Sequence, residues 1–452
     1  MIDSRWRLLV AIALGTILNP LNSSMVAVAL VAIHQDFHVS IGTSTWLISA
    51  FYLTGAVGQP LMGRLADLVG PRRVFLSGLG VAAVVSAVAP FAPSFGSLVA
   101  IRCVQAFATS TAFPSGLGLI RAAGGNRVPA QSLAVLSVAA SAGAALGPTV
   151  GGVLLTLWGW QAIFLVNLPL TLIGLGLGLG LRWLPAAPPS DTSASGLGDL
   201  DLVGVVLFAA TLVPLLAALI EIGTLQGWIL LALVPVAALL LAIRELRHRT
   251  PFFDLRLLAR SPAMVAVFLQ FAAVTFVFYS FFFALPVWLE QVGGHDARTA
   301  GLVVLPLTGV SVLVTPMASM LINRRGPRAA LVFGSVFLLA GSLLMLGVGP
   351  ATAVLVVAAA TVVMGVPSGF NTLGLQAALY EATPRERISW AGGQFQTFRY
   401  VGATVASAVL ASVFRNGATT SGLHAIAVAL ALVSAALILA SLVTRRATAA
   451  PV

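Results

Sequence analysis

The chain has 452 residues, 59% of them hydrophobic and only 8% charged, with a net charge of +11 and a mean hydropathy of +1.03. Soluble domains carry about 25% charged residues, so this composition cannot clothe a water-facing surface, and the chain is read as an integral membrane protein. Every basic residue is Arg, and they are scattered through short loops rather than gathered on one polar face, which excludes nucleic acid as a partner. The single Cys103 excludes an internal disulfide and reads as a small buried apolar residue. No His, Cys, Asp or Glu cluster has metal-ligand spacing, so neither a metal nor a cofactor is expected.

Taken in chain order, apolar stretches of the roughly 20 residues that cross a bilayer recur at 7–32, 43–63, 74–92, 97–120, 131–156, 160–182, 200–222, 226–247, 263–289, 299–322, 329–348, 351–379, 389–413 and 421–443. This predicts an all-α membrane protein with fourteen spans. The first has the basic start and apolar run of a signal peptide, but it continues through Asn19, Pro20 and Asn22 to about Ala32 and reads as a retained helix. The longest hydrophilic break, WLPAAPPSDTSASGLGDLD, predicts a flexible cytoplasmic linker over 183–199.

An internal repeat divides the chain. GRLADLVGPRR at 63–73 aligns with SMLINRRGPRA at 319–329 through Gly70-Pro71-Arg72 and Gly326-Pro327-Arg328, each after the second helix of a six-helix unit. The expected plan is a bundle over 1–182, the linker, an inserted helix pair over 200–247, a second bundle over 248–444 and a tail over 445–452. Parallel six-helix repeats with a substrate site between them are a transporter plan. With both termini placed in the cytoplasm, only Arg298 and Arg415 fall outside and Arg102 and Arg399 lie within spans; every other Arg falls inside, as the positive-inside rule requires.

Three motifs bear on mechanism. In the 63–73 loop, Gly70 and Pro71 make a tight turn, Asp67 can cap a neighbouring helix N-terminus, and Gly63, Arg64, Arg72 and Arg73 complete the set. SAGAALGPTVGG places Gly143, Gly147 and Gly151 four apart, with Gly152 beside them; such spacing lets another helix approach closely, and Pro148 removes a helical hydrogen bond and bends the span. In IRCVQAFATS, Arg102 and Gln105 share a helix face, and the cost of a charge in lipid turns Arg102 inward or, alternatively, to the outer interface.

These motifs resemble those of the major facilitator superfamily. The loop at 63–73 resembles its signature loop and GxxxGPxxGG its antiporter motif. IRCVQAFATS resembles its fourth-helix Arg motif, although Ala106 stands where Gly is usual. WGWQAIFLVNLPL at 158–170, PFFDLRLL at 251–258 and TAGLVVLP at 299–306 resemble the fourteen-helix drug:proton antiporters, with Gln161 in place of an Arg. The resemblance implies the major facilitator fold, the 63–73 loop and the glycine motif at 143–152 as a conformational switch, and a secondary exporter in the bacterial cytoplasmic membrane.

One departure matters. Those antiporters typically carry an Asp in the first helix where this chain has Asn22, and an amide does not exchange protons at physiological pH. Arg102 and Arg399 then stand in spans without an obvious acidic partner, which predicts a preference for anionic or neutral amphipathic substrates over organic cations. Asn19, Gln270, Tyr279, Asn371 and Gln394 join Asn22, Arg102, Gln105 and Arg399 as expected cavity residues. The expected function is multidrug or metabolite efflux by alternating access by a monomer that takes a small-molecule substrate, with protons as the candidate coupling ion. The alternatives are a dedicated exporter of one anionic or neutral metabolite or antibiotic, and a sensor that has lost coupling. No HExxH, GxSxG or phosphate-binding loop points to an enzyme.

Overall fold

The computed structural model describes residues 2–39, 44, 46–124, 129–180, 201–220, 223–248, 251–295, 297–384, 387–414 and 418–443. The predicted linker at 183–199 and tail at 445–452 lie outside these residues. Among the described residues there is no strand. The α-helices are α1 (Ile2–Asp36), α2 (Trp46–Val69), α3 (Pro71–Val88), α4 (Phe95–Thr109), α5 (Ala112–Gly124), α6 (Ala130–Trp158), α7 (Gln161–Leu165), α8 (Asn167–Gly180), α9 (Leu202–Ile220), α10 (Leu225–Arg247), α11 (Leu255–Arg260), α12 (Pro262–Gln291), α13 (Ala297–Arg325), α14 (Pro327–Met345), α15 (Val354–Ala382), α16 (Ile388–Val413) and α17 (Thr420–Val443).

Ten of the described helices are long and apolar enough to cross a membrane, or eleven if a pair bent by 44° between Gln131–Gly147 and Val150–Trp158 counts as one. The helix α2, with Gln59, Arg64 and Asp67, falls short of that apolarity. The stretch expected at 97–120 breaks at Ser110–Thr111, and the one at 160–182 breaks at Val166. Pro169, which lacks an N–H, opens the first turn of α8 there, where proline is tolerated. Leu225, Trp228, Val236 and Leu239 of α10 stand exposed, a surface that only lipid accommodates.

Two compact units are resolved. The first comprises 1–205, 249–252 and 384–397; the second comprises 206–248, 253–383 and 398–452. In the first, α1 packs along α6 and α8, α2 along α4, and α3 along α8, α4 and α5. In the second, α15 packs between α13 and α14, and α17 against α14 and α12. The two Gly-Pro turns adopt matching geometry in their own units. Gly70 (φ 102°) precedes Pro71 at the start of α3, and Gly326 (φ 81°) precedes Pro327 at the start of α14. Glycine tolerates the positive φ and proline has no N–H to lose at a helix start.

Candidate transport site

The interior of the first unit holds a polar cluster built by α1, α3, α4 and α8. Arg102 is fully buried (0% exposed), which settles its direction inward rather than toward the interface. Its Nη1 donates to Gln105 Oε1 at 2.6 Å, one turn further along α4. The Gln105 amide donates in turn to Ser86 Oγ at 3.3 Å and to Asn22 Oδ1 at 3.5 Å. Asn167, whose amide also reaches the carbonyls of Ile163 and Phe164, donates to Asn22 Oδ1 at 2.8 Å. Asn22 thus acts as a double acceptor, a role that an amide and a carboxylate share. The Arg102 guanidinium lies 4.1 Å over the Phe51 ring and 5.9 Å from that of Phe164, a pair of cation–π contacts that help hold the charge away from water.

The 63–73 loop is built around a close approach. Gly63 packs directly on the backbone of Ser389 and Trp390 at the start of α16: an added Cβ would run into the Ser389 carbonyl oxygen and lie 2.9 Å from its carbon. The same happens at Gly393 against Gln59 and Pro60. Asp67, past the apolar stretch of α2, accepts the Trp390 N–H at 2.9 Å and a hydrogen bond from the Ser389 side chain, so it caps α16. Burial pushes its carboxyl up from 3.8 to about 7, outweighing the lowering by those hydrogen bonds and by the charges of Arg64 and Arg387. Thr397 Oγ1 donates to the Ala56 carbonyl at 2.7 Å, and Trp390 Nε1 to that of Phe252 at 2.9 Å, so this face is fastened at several points. Arg64 is buried, Arg72 donates to the Leu179 carbonyl at 3.3 Å, and Arg73 is exposed.

The glycine stripe of α6 faces α1. A Cβ at Gly143 would stand 2.7 Å from Ile17 Cγ1, one at Gly147 would strike the Ser24 hydroxyl, and one at Gly151 would stand 3.0 Å from Met25 Cα. Gly152, expected with them, has open space instead, since it lies one position off the stripe. The Pro148 side chain lies outside the described residues.

A family model described as Major Facilitator Superfamily matches residues 12–407. The chain belongs to the major facilitator superfamily. Relatives include an uncharacterized MFS-type transporter, YwoD, of Bacillus subtilis (strain 168), 38% identical over 92% of each chain. The tetracenomycin C resistance and export protein of Streptomyces glaucescens is 28% identical over 90% of this chain and 75% of its own. Among solved structures, that of the human organic anion transporter MFSD10 superposes with a TM-score of 0.71 at 16% identity, covering 97% of this chain and 99% of that one, a likeness of fold. This major facilitator chain is therefore a multi-pass membrane transporter of a small molecule, not an enzyme.

Of the remaining expected cavity residues, Asn19 is buried on α1, and Gln394 is fully buried in the first unit with no hydrogen-bond partner for either amide atom among the described residues. The others lie in the second unit. Asn371 is buried, and its amide reaches Ser335 Oγ at 3.4 Å, a bridge between α15 and α14. Gln270 is buried on α12. Tyr279 stacks on Phe283 at 5.6 Å in an aromatic row along the same helix. Arg399 lies 5.5 Å from the Tyr400 ring.

Sequence reasoning had not placed Ser86, Asn167, Phe51 or Ser389 and Trp390 in these sites. Asn167 was legible as a polar residue in a predicted span; the partners of Asp67 carried no local mark.

Proposed function

We propose that this transporter is a secondary active exporter of drugs or small amphipathic metabolites, working by alternating access and drawing on the proton gradient. Its plan in this reading is fourteen spans with both termini cytoplasmic: bundles over 1–182 and 248–444, an inserted pair over 200–247, and a monomer in a bacterial cytoplasmic membrane. Export is supported by relatives such as the tetracenomycin C resistance and export protein, and orientation by the distribution of Arg.

The observation that carries alternating access is the Asp67 cap on α16. It is a hydrogen-bonded, glycine-mediated contact between backbones, with a titratable group at its centre, and so it can be made and released as a unit. A second reading, a dedicated exporter of one metabolite, draws on the same relative being named for a single antibiotic.

The test is efflux by the purified protein in proteoliposomes, with and without an imposed pH gradient, for wild type and Asn22→Asp. Gradient-driven flux supports the reading, and proton dependence that rises in the variant places coupling at position 22. A static, non-saturating leak refutes alternating access.

A further inference from the structure

The cluster around Arg102 carries a positive charge with half of its hydrogen-bonding edge unused. A guanidinium offers five N–H donors in a fixed fork. Here Nη1 is taken by Gln105 and one face is covered by Phe51, while Nε and Nη2 have no hydrogen-bond partner among the described residues. Those two atoms share one edge of the guanidinium, and their parallel N–H bonds are the pair that grips a carboxylate in bidentate fashion. In the same hydrogen-bonded cluster Asn22 spends its oxygen on Asn167 and Gln105 and leaves its own Nδ2 donor without a partner among the described residues, buried at 1% exposure.

Among the described residues, no carboxylate accepts a hydrogen bond from Arg102 Nε or Nη2. A buried cation with unpaired donors is costly unless an acceptor of opposite charge completes it. The low-dielectric setting that makes this costly also strengthens the bond to whatever completes it.

We propose that the Nε–Nη2 edge of Arg102, assisted by Asn22 Nδ2, is an oxyanion site that takes the carboxylate of an amphipathic substrate. This rests on the exporter reading for its role in transport, but the binding itself is separable. The missing first-helix acid then has a physical consequence: with an amide at position 22, the positive charge is left for the substrate to neutralise.

The experiment uses the full chain in lipid nanodiscs and two fluorescent probes of equal ring size, 1-pyrenebutyrate and 1-pyrenebutanol, with affinity read by anisotropy at pH 7. A charge-assisted bidentate contact predicts that wild type binds the carboxylate about 10-fold or more tightly than the alcohol. Arg102→Lys, which keeps the charge but loses the fork, removes most of that preference. Asn22→Asp changes one atom, keeps the double acceptor and places a competing carboxylate in the cluster, so it also removes the preference while the alcohol still binds.

Competition at matched ionic strength separates an oxyanion from a bare anion: acetate displaces pyrenebutyrate and chloride does not. Equal affinity of wild type for the two probes, preference retained in both variants, or chloride competing as well as acetate overturns the proposal. Efflux of both probes from proteoliposomes is measured alongside. Absence of flux with the binding preference intact counts against the exporter reading and leaves the oxyanion site standing.

Discussion

Replacing Asp67 with Asn should make the contact between α2 and α16 indifferent to pH. An amide still accepts the Trp390 N–H but cannot ionise, whereas the native carboxyl is raised from 3.8 to about 7 by burial. The sign follows from linkage: a carboxyl raised in the buried state lends stability to the contact that is complete below its exposed value and is lost as pH rises through about 7. Opening the contact therefore releases a proton.

The full rise is worth about 4 kcal/mol at 1.36 kcal/mol per unit. Asp67 is only half-buried, so residual water contact reduces this to about 2 kcal/mol, or an opening constant some 30-fold larger at pH 7 than well below 3.8, of which about 10-fold falls between pH 4 and pH 7. Maleimide labelling of Ala391→Cys, a position with 0% exposure, in a Cys103→Ser background reads the opening once rates are normalised to an exposed cysteine. Wild type should label faster as pH rises toward 7 and level off above it, while Asp67→Asn stays flat. A flat wild-type profile, or the same slope in both proteins, refutes the argument.

Other substitutions test the packing. Gly147→Val, which drives a side chain into Ser24 on α1, should cost about 1–3 kcal/mol and lower the melting temperature in nanodiscs, whereas Gly152→Ala, with open space around it, should stay within about 0.5 kcal/mol of wild type. Gly70→Ala forces a side chain onto a backbone at φ 102° and should cost about 1–2 kcal/mol in the same assay. Trp390→Phe leaves the buried Phe252 carbonyl without its donor, at about 1–3 kcal/mol; labelling at Ala391→Cys should then quicken at every pH while its slope persists.

What the residues disclosed in advance was local. The Gly-Pro turns at 70 and 326 could be read because positive φ and a missing N–H are properties of single residue types. The stripe at Gly143, Gly147 and Gly151 could be read because a spacing of four is one helix face, but the phase of that face, which leaves Gly152 out, depends on where α1 lies. Asp67 was recognisable as a helix cap, yet its partner Trp390 stands 323 residues further along and carries no complementary pattern. Asn22 could be flagged as a polar residue in an apolar span. That its oxygen is held by two amides from α4 and α8 is a product of tertiary packing and has no trace in spacing.

That double acceptor has a genetic corollary. Asparagine and aspartate codons differ by one base, and the surroundings of Asn22 satisfy its oxygen in the same way for either residue. A single transition mutation can therefore add or remove an ionisable group at the heart of the bundle without asking the fold to rearrange.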